Sequence, residues 1–281
     1  MSTDSGSRAH QGGERRGTAP VTEGARLRAW STAWPGRAVL AAERVALEEF
    51  LPNLFGYYLL QVGSLCDPQA VSASRIRSRV CVTDAQPRFD EECPSVVGSA
   101  QSLPFAADSV DVVVLQHVLE FQDSPHEALR EAERVLVPEG HLVLAGFNPF
   151  SLVGLWRAAE RRRAGPPWSG RFVSPTRVKD WLALLGLEAT EVRMLFFRPP
   201  FSRPALLRRL RRLESLGARL WPYAGGVYVI VARKRVATLT PIKPRWLPRR
   251  GLVGVRLAEP SARWDTGLEM PPTRRGGDLE A

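Results

Sequence analysis

The chain has 281 residues, enough for one large α/β domain or two small ones, and its 44% hydrophobic content is that of an ordinary globular protein. No apolar run approaches the roughly 18 residues of a membrane-spanning helix, and the polar start MSTDSGSRAHQGGERRG lacks the apolar centre of a signal peptide. Three scattered cysteines, Cys66, Cys81 and Cys93, are too few for a disulfide framework. No CxxC or HExxH spacing accompanies them, so no metal site is expected and a reducing cytoplasm is the default.

The net charge of +10 is unevenly placed. Residues 1–156 carry 13 Lys or Arg against 19 Asp or Glu, whereas residues 157–281 carry 26 against 10. Such a basic excess suits nucleic acid or an anionic membrane surface as partner, and equally a solvated arginine-rich face.

In chain order, residues 1–24 are polar, Gly-rich and without periodicity, and are expected to form a disordered tail. A helix over 37–50 has Val39, Leu40, Val45 and Leu47 as its apolar side, and 57–62 reads as a strand. The turn after it runs Gln61-Val62-Gly63-Ser64-Leu65-Cys66-Asp67. A short helix must fit between Pro68 and Ser78, ahead of a second strand at 80–83 that ends at Asp84. Residues 96–98 make a brief third strand. Residues 110–115 are valine-rich and apolar apart from Asp111, so they suit a strand covered on both faces.

Ser124 as N-cap, Pro125 in the first turn and Glu127 as capping-box partner open a helix through Ala128, Leu129, Ala132 and Leu136. Pro138-Glu139-Gly140 is expected to stop it before an apolar strand at 141–147, completing a βαβ unit with a right-handed crossover. Asn148-Pro149-Phe150 is a turn, and the Trp- and Arg-rich residues after it read as an insertion. Ser174-Pro175 caps another helix that ends at Gly186. Strands follow at 188–197 and 227–232. Between them, a helix at 205–220 would turn Leu206, Leu210, Leu213, Leu216 and Leu220 inward and leave most arginines in water. The domain expected is 25–235, with inserts near 151–172 and 198–223, followed by a Pro- and Arg-rich disordered tail over 236–281.

The wording SAQSLPF, then a Val-rich strand, then ALREAERVLVPEGHLVLAGF resembles the class I S-adenosylmethionine-dependent methyltransferases of the type 11 group. The resemblance implies an α/β, Rossmann-like fold: a seven-stranded, mostly parallel sheet with an antiparallel last strand and helices on both faces. It also implies S-adenosyl-L-methionine as cofactor and a methyl acceptor that the sequence leaves unidentified. The family's glycine-rich turn falls on Gly63 and Ser64, with Gln61 where an acid is usual. Glycine lets the cofactor lie against the backbone. The family's ribose acid falls on Asp84, and its adenine contacts fall on Ser99 and Ala100, where Ser99 stands in place of an acid.

The residues themselves agree at two points. Asp84 ends a strand 21 positions beyond Gly63, close to the spacing of about 20 in dinucleotide folds, which suits an acceptor for ribose hydroxyls. Gln116 and His117 leave the carboxyl end of a parallel strand and so face the ligand crevice; His117 is the candidate general base. A nicotinamide enzyme is disfavoured because Gly63 stands without the rest of a Gly-x-Gly-x-x-Gly turn. The expected acceptor is a small molecule. The rival reading is a non-catalytic binding module that uses the basic region 157–235 on RNA or an anionic membrane.

Overall fold

The computed structural model describes residues 23–84, 93–160, 165, 167–200, 217 and 219–235. Two helices, α1 (Glu23–Thr32) and α2 (Gly36–Phe50), precede seven strands: β1 (Tyr58–Val62), β2 (Ser78–Thr83), β3 (Ser95–Val97), β4 (Val110–Gln116), β5 (Leu136–Phe147), β6 (Leu187–Leu195) and β7 (Val227–Lys234). Helices α3 (Pro125–Val135), α4 (Leu152–Glu160) and α5 (Pro175–Leu184) lie between β4 and β6 in the chain. The strands form one sheet in the order β3-β2-β1-β4-β5-β7-β6. β1 to β5 pair in parallel, and β7 runs antiparallel to both β5 and β6. This is the sheet expected from the sequence.

β4 shows why its sequence has no polar face. Val113 and Leu115 join a core with Leu60, Leu142, Ala128, Leu129 and Ala132 of α3, and Val178 and Leu182 of α5. Val112 and Val114 point the other way, into Leu59, Val143 and α2 residues Ala46, Leu47 and Phe50. Alternate side chains thus serve two helical layers, and both layers must be apolar. The lone acid, Asp111, accepts the backbone N–H groups of Tyr57 and Tyr58, each at 2.9 Å, and fixes the start of β1.

Several local expectations are corrected. Ser124 makes no side-chain cap; its carbonyl instead takes the Glu127 N–H at 3.1 Å. Pro138-Glu139-Gly140 lies inside β5, which begins at Leu136 opposite Val110; the register slips there and Glu139 has φ 65°. On α2 the buried side is Val39, Glu43, Ala46, Leu47 and Phe50, while Val45 is 56% exposed. Cys66 and Cys81 are paired as a disulfide, against the expectation of unpaired thiols. The segment between β1 and β2 holds only one 3-10 turn, Pro68–Val71. By contrast, Ser174 accepts the Arg177 N–H as a cap and Gly186, at φ 73°, ends α5.

The expected tails, 1–24 apart from Glu23 and Gly24, and 236–281, lie outside the described residues. So does most of the expected helix at 205–220. Of its leucine stripe only Leu220 is described, and it is exposed rather than turned inward.

Candidate active site

The carboxyl ends of β1, β2, β3 and β4 surround a cleft of about 500 Å³. That is within the range of small-molecule sites, about 300–1,000 Å³. Gly63, Ser64, Asp84, Ser99, Ala100 and His117 all line it, together with Gly98, Val118 and Phe121. Six of the eight candidate residues are therefore brought together. Gln61 and Gln116 are not on its surface. They are buried beneath it with their side-chain amides in contact at 2.5 Å.

The turn at Gly63 is built closely enough to demand glycine. Gly63 has φ 133°, and a Cβ there would meet the Gln116 carbonyl oxygen at 2.9 Å and a Val118 methyl at 3.1 Å. Its N–H donates to the Val82 carbonyl, which joins the end of β1 to β2. Asp84 stands across the cleft mouth with its side chain 53% exposed. Ser64 Oγ donates to its Oδ1 at 2.9 Å, and Arg28 of α1 approaches the same oxygen at 3.7 Å. Gly24, also on α1, sits so near that a Cβ there would lie 2.6 Å from Asp84 Oδ2. Ser169 Oγ donates to Glu23 at 2.9 Å, tying α1 to the segment before α5.

Behind the cleft lies a buried ionic group. His117 leaves β4 with φ 50°, its N–H held by the Ala145 carbonyl at 2.9 Å. Nε2 is 2.7 Å from Glu43 Oε1 and Nδ1 is 3.3 Å from Glu120 Oε1. Burial pushes the imidazole pKa down, but the Glu43 carboxylate and then Glu120 outweigh it and raise it to about 10. Both ring nitrogens point at carboxylates, an arrangement that favours the imidazolium over a free base. Gln116 Nε2 also faces Glu43, at 3.4 Å.

Glu120 Oε1 accepts the Phe147 N–H at 2.6 Å as well, while its other oxygen and the Tyr228 hydroxyl are buried without partners. Burial and then Glu120 hold the Tyr228 phenol well above its usual pKa. Phe147 stacks on His117 at 4.1 Å and on Phe172 at 4.8 Å, and Trp30 meets it edge-on.

Glu43 and Arg28 were not anticipated. Glu43 had a signal, since an acid spaced four from Val39 and Leu47 falls within the apolar stripe of its helix. Arg28 had none, because α1 lies where little periodicity is present.

The sheet order, with a reversed β7 and a ligand-sized cleft at the parallel strand ends, defines the class I S-adenosylmethionine-dependent methyltransferase fold. Residues 60–144 match the family described as methyltransferase domain, type 11. The chain is 33% identical over 201 residues to the uncharacterized protein YafS of Escherichia coli K12, covering 70% of this chain and 77% of that one. It belongs to that methyltransferase family. It is also 30% identical over 127 residues to a malonyl-[acyl-carrier protein] O-methyltransferase of Methylococcus capsulatus, a match that spans 44% of each. Among solved structures, a SAM-dependent methyltransferase of Thermotoga maritima superposes with a TM-score of 0.53 at 19% identity, over 70% of this chain and 89% of that one.

The residues present fit the cofactor. Gly63 leaves the backbone bare of a side chain at the cleft, Asp84 keeps its carboxylate 53% exposed there, and Gly98, Ser99 and Ala100 line the same cleft. Among the described residues, no group of His, Cys, Asp and Glu could hold a metal ion, and no helix is long and apolar enough to cross a membrane.

Proposed function

We propose that this protein transfers a methyl group from S-adenosylmethionine to a small acceptor that is already a nucleophile at neutral pH, with a carboxylate as the favoured class. The observation carrying this reading is that Gly63, Asp84 and Ser99 converge on one cleft at the strand ends. When bound, the cofactor supplies a methyl group on a sulfonium, a good leaving group. The protein's part is chiefly alignment. Gly63 admits the ligand to the backbone, Asp84 holds the ribose hydroxyls, and Ser99 with the amides around it receives the adenine.

The acceptor class follows from the titratable groups. Asp84 and His117 are the ones among the residues lining the cleft, and His117 is held protonated. With Asp84 given to the ribose and His117 paired at both nitrogens, an acceptor that had to lose a proton would find no free base there, whereas a carboxylate needs none. The partial likeness to a malonyl-[acyl-carrier protein] O-methyltransferase, an enzyme that methylates oxygen, supports the same class. The proposal includes a cytoplasmic setting.

A second reading has its own support. Gln61 and Gln116 are paired with each other, and Asp84 already accepts from Ser64, as would suit a scaffold that binds RNA or an anionic membrane through region 157–235 without catalysis. Isothermal titration with S-adenosylmethionine and S-adenosylhomocysteine separates the two. Micromolar binding, followed by transfer of labelled methyl to small carboxylates, is expected; no binding of either compound would favour the scaffold.

A further inference from the structure

A second cleft, of about 650 Å³, lies between α1, α2 and the turn after β1. Its origin is in the chain: the segment from β1 to β2 has one 3-10 turn where a full helix would fill this space. Arg28, Arg37 and Arg44 line it, with Ser31, Thr32, Ser64 and Cys66. Ser64 also lines the first cleft, so the two adjoin at that residue.

The arginines are incompletely satisfied. Arg44 pairs with Asp67 at 2.7 Å and donates to Gln69 at 3.1 Å, yet its Nε is buried with no partner among the described residues. Arg28 reaches the Ser64 carbonyl only at 3.4 Å and Asp84 only at 3.7 Å. Arg37 donates its backbone N–H to the Ala33 carbonyl at 2.9 Å, but its guanidinium has no hydrogen bond or ion pair among the described residues, although Arg37 lines the cleft. Three guanidiniums face a cleft whose lining contains one acid, Asp67. Arg44 is paired with Asp67 and Arg28 more loosely with Asp84, so the concave cluster keeps an excess of one positive charge, carried by Arg37. Such an excess raises the local concentration of anions and offers planar donors to carboxylate or phosphate oxygens. Leu40, Ala41, Leu65 and Pro68 complete the lining, so a short carbon segment would be accommodated beside the charge.

We propose that this cleft binds an anionic group of the methyl acceptor, a carboxylate or phosphate remote from the methylated atom. The inference rests on the reading of the first cleft as the cofactor site. The cofactor's own carboxylate is the competing occupant, and a comparison with 5′-methylthioadenosine separates the two.

The test uses inorganic pyrophosphate and malonate as probes, titrated calorimetrically into the full chain saturated with S-adenosylhomocysteine. Binding of at least one anion is expected, and Arg37→Glu should weaken it tenfold or more while leaving S-adenosylhomocysteine affinity within twofold. Arg37 is exposed, so the variant should melt at the wild-type temperature. Preference for pyrophosphate or for malonate identifies the phosphate or the carboxylate source. Three outcomes overturn the proposal: no anion binding by the wild type, equal anion binding by Arg37→Glu, or loss of S-adenosylhomocysteine affinity in Arg37→Glu with 5′-methylthioadenosine affinity retained. The last would assign the arginines to the cofactor's carboxylate. A wild type that takes no S-adenosylhomocysteine fails the cofactor reading instead; the anion titration on the chain alone then decides the cleft independently.

Discussion

The imidazole Nε2 of His117 lies 2.7 Å from the Glu43 carboxylate, and both side chains are withdrawn completely from solvent. One residue ends the central strand and the other sits on α2, so this contact ties the helix before the sheet to the rim of the cleft. Burying such a pair is costly, and it persists because each partner is paired again: Glu43 faces Gln116, and His117 faces Glu120. The left-handed backbone at His117 suits the same end, because it turns the ring back under the strand.

The raised pKa of His117 gives a pH signature. The unfolded chain releases this proton near 6.5 and the folded chain near 10, so between those values the folded state binds more protons. The contribution is complete below about pH 6.5. Stability then falls as pH rises, by up to about 1.4 kcal/mol per pH unit. Urea midpoints measured at pH 6, 7.5 and 9 should decline in that order. His117→Gln should flatten the decline, and an equal slope in that variant would place the titration elsewhere.

Removing one partner should do more harm than the pair's net value suggests. Glu43→Ala leaves His117 charged and half-paired in the interior, a change expected to cost about 3–5 kcal/mol. Equilibrium unfolding at pH 7 measures it. A loss below about 1 kcal/mol would mean that Glu120 alone satisfies the imidazolium.

Much of the fold was legible because β4 and the helix after it obey simple periodicities. A valine run with no polar side can only be covered on both faces, and Ala128, Leu129 and Ala132 recur at helical spacing. The missed details are ones that tertiary context decides. Helical spacing puts Glu43 on the face of Val39 and Leu47 and turns Val45 outward, yet apolarity alone points to Val45; the buried acid is tolerated because His117 pairs with it. Periodicity assigns a face; it does not reveal a charge that a partner 74 positions away makes tolerable. The site divides in the same manner. Gly63 and Asp84 were visible through backbone geometry and spacing. The burial of Gln61 and Gln116 was not, because strand-end position alone does not say which side chain turns into the core. The Cys66–Cys81 pairing had no local signal either, since it depends on β1 and β2 being neighbours.

Gly63→Ala should damage both stability and the cofactor site. The new Cβ would stand 2.9 Å from the Gln116 carbonyl oxygen, which is backbone and cannot swing aside, and φ 133° is unfavourable for any L side chain. A cost of about 1–3 kcal/mol is expected from the strain, with weakened S-adenosylhomocysteine binding in the molecules that remain folded. Thermal melting and calorimetry report the two effects separately. Unaltered melting would show that the turn relaxes without loss.

Asp84 offers the clearest separation of binding from folding. Its carboxylate is 53% exposed and meets Ser64 and Arg28 at the rim, so its contribution to stability is that of a surface contact, about 0–1 kcal/mol. A ribose hydroxyl donating to it in the ligand complex would instead be a charge-assisted hydrogen bond, worth about 1.5–3 kcal/mol. Asp84→Ala should accordingly weaken S-adenosylhomocysteine binding by roughly 10- to 150-fold while the unfolding midpoint barely moves. Asp84→Asn should fall between, because it keeps an acceptor oxygen but loses the charge. Ser64→Ala should have the smallest effect of the three, since it removes a donor to Asp84 and leaves the carboxylate to the ligand. Calorimetry on the four proteins at pH 7 gives the order directly. Equal affinities throughout would remove Asp84 from the site, and a large drop in melting temperature for Asp84→Ala would show that its contacts to Ser64 and Arg28 hold α1 in place.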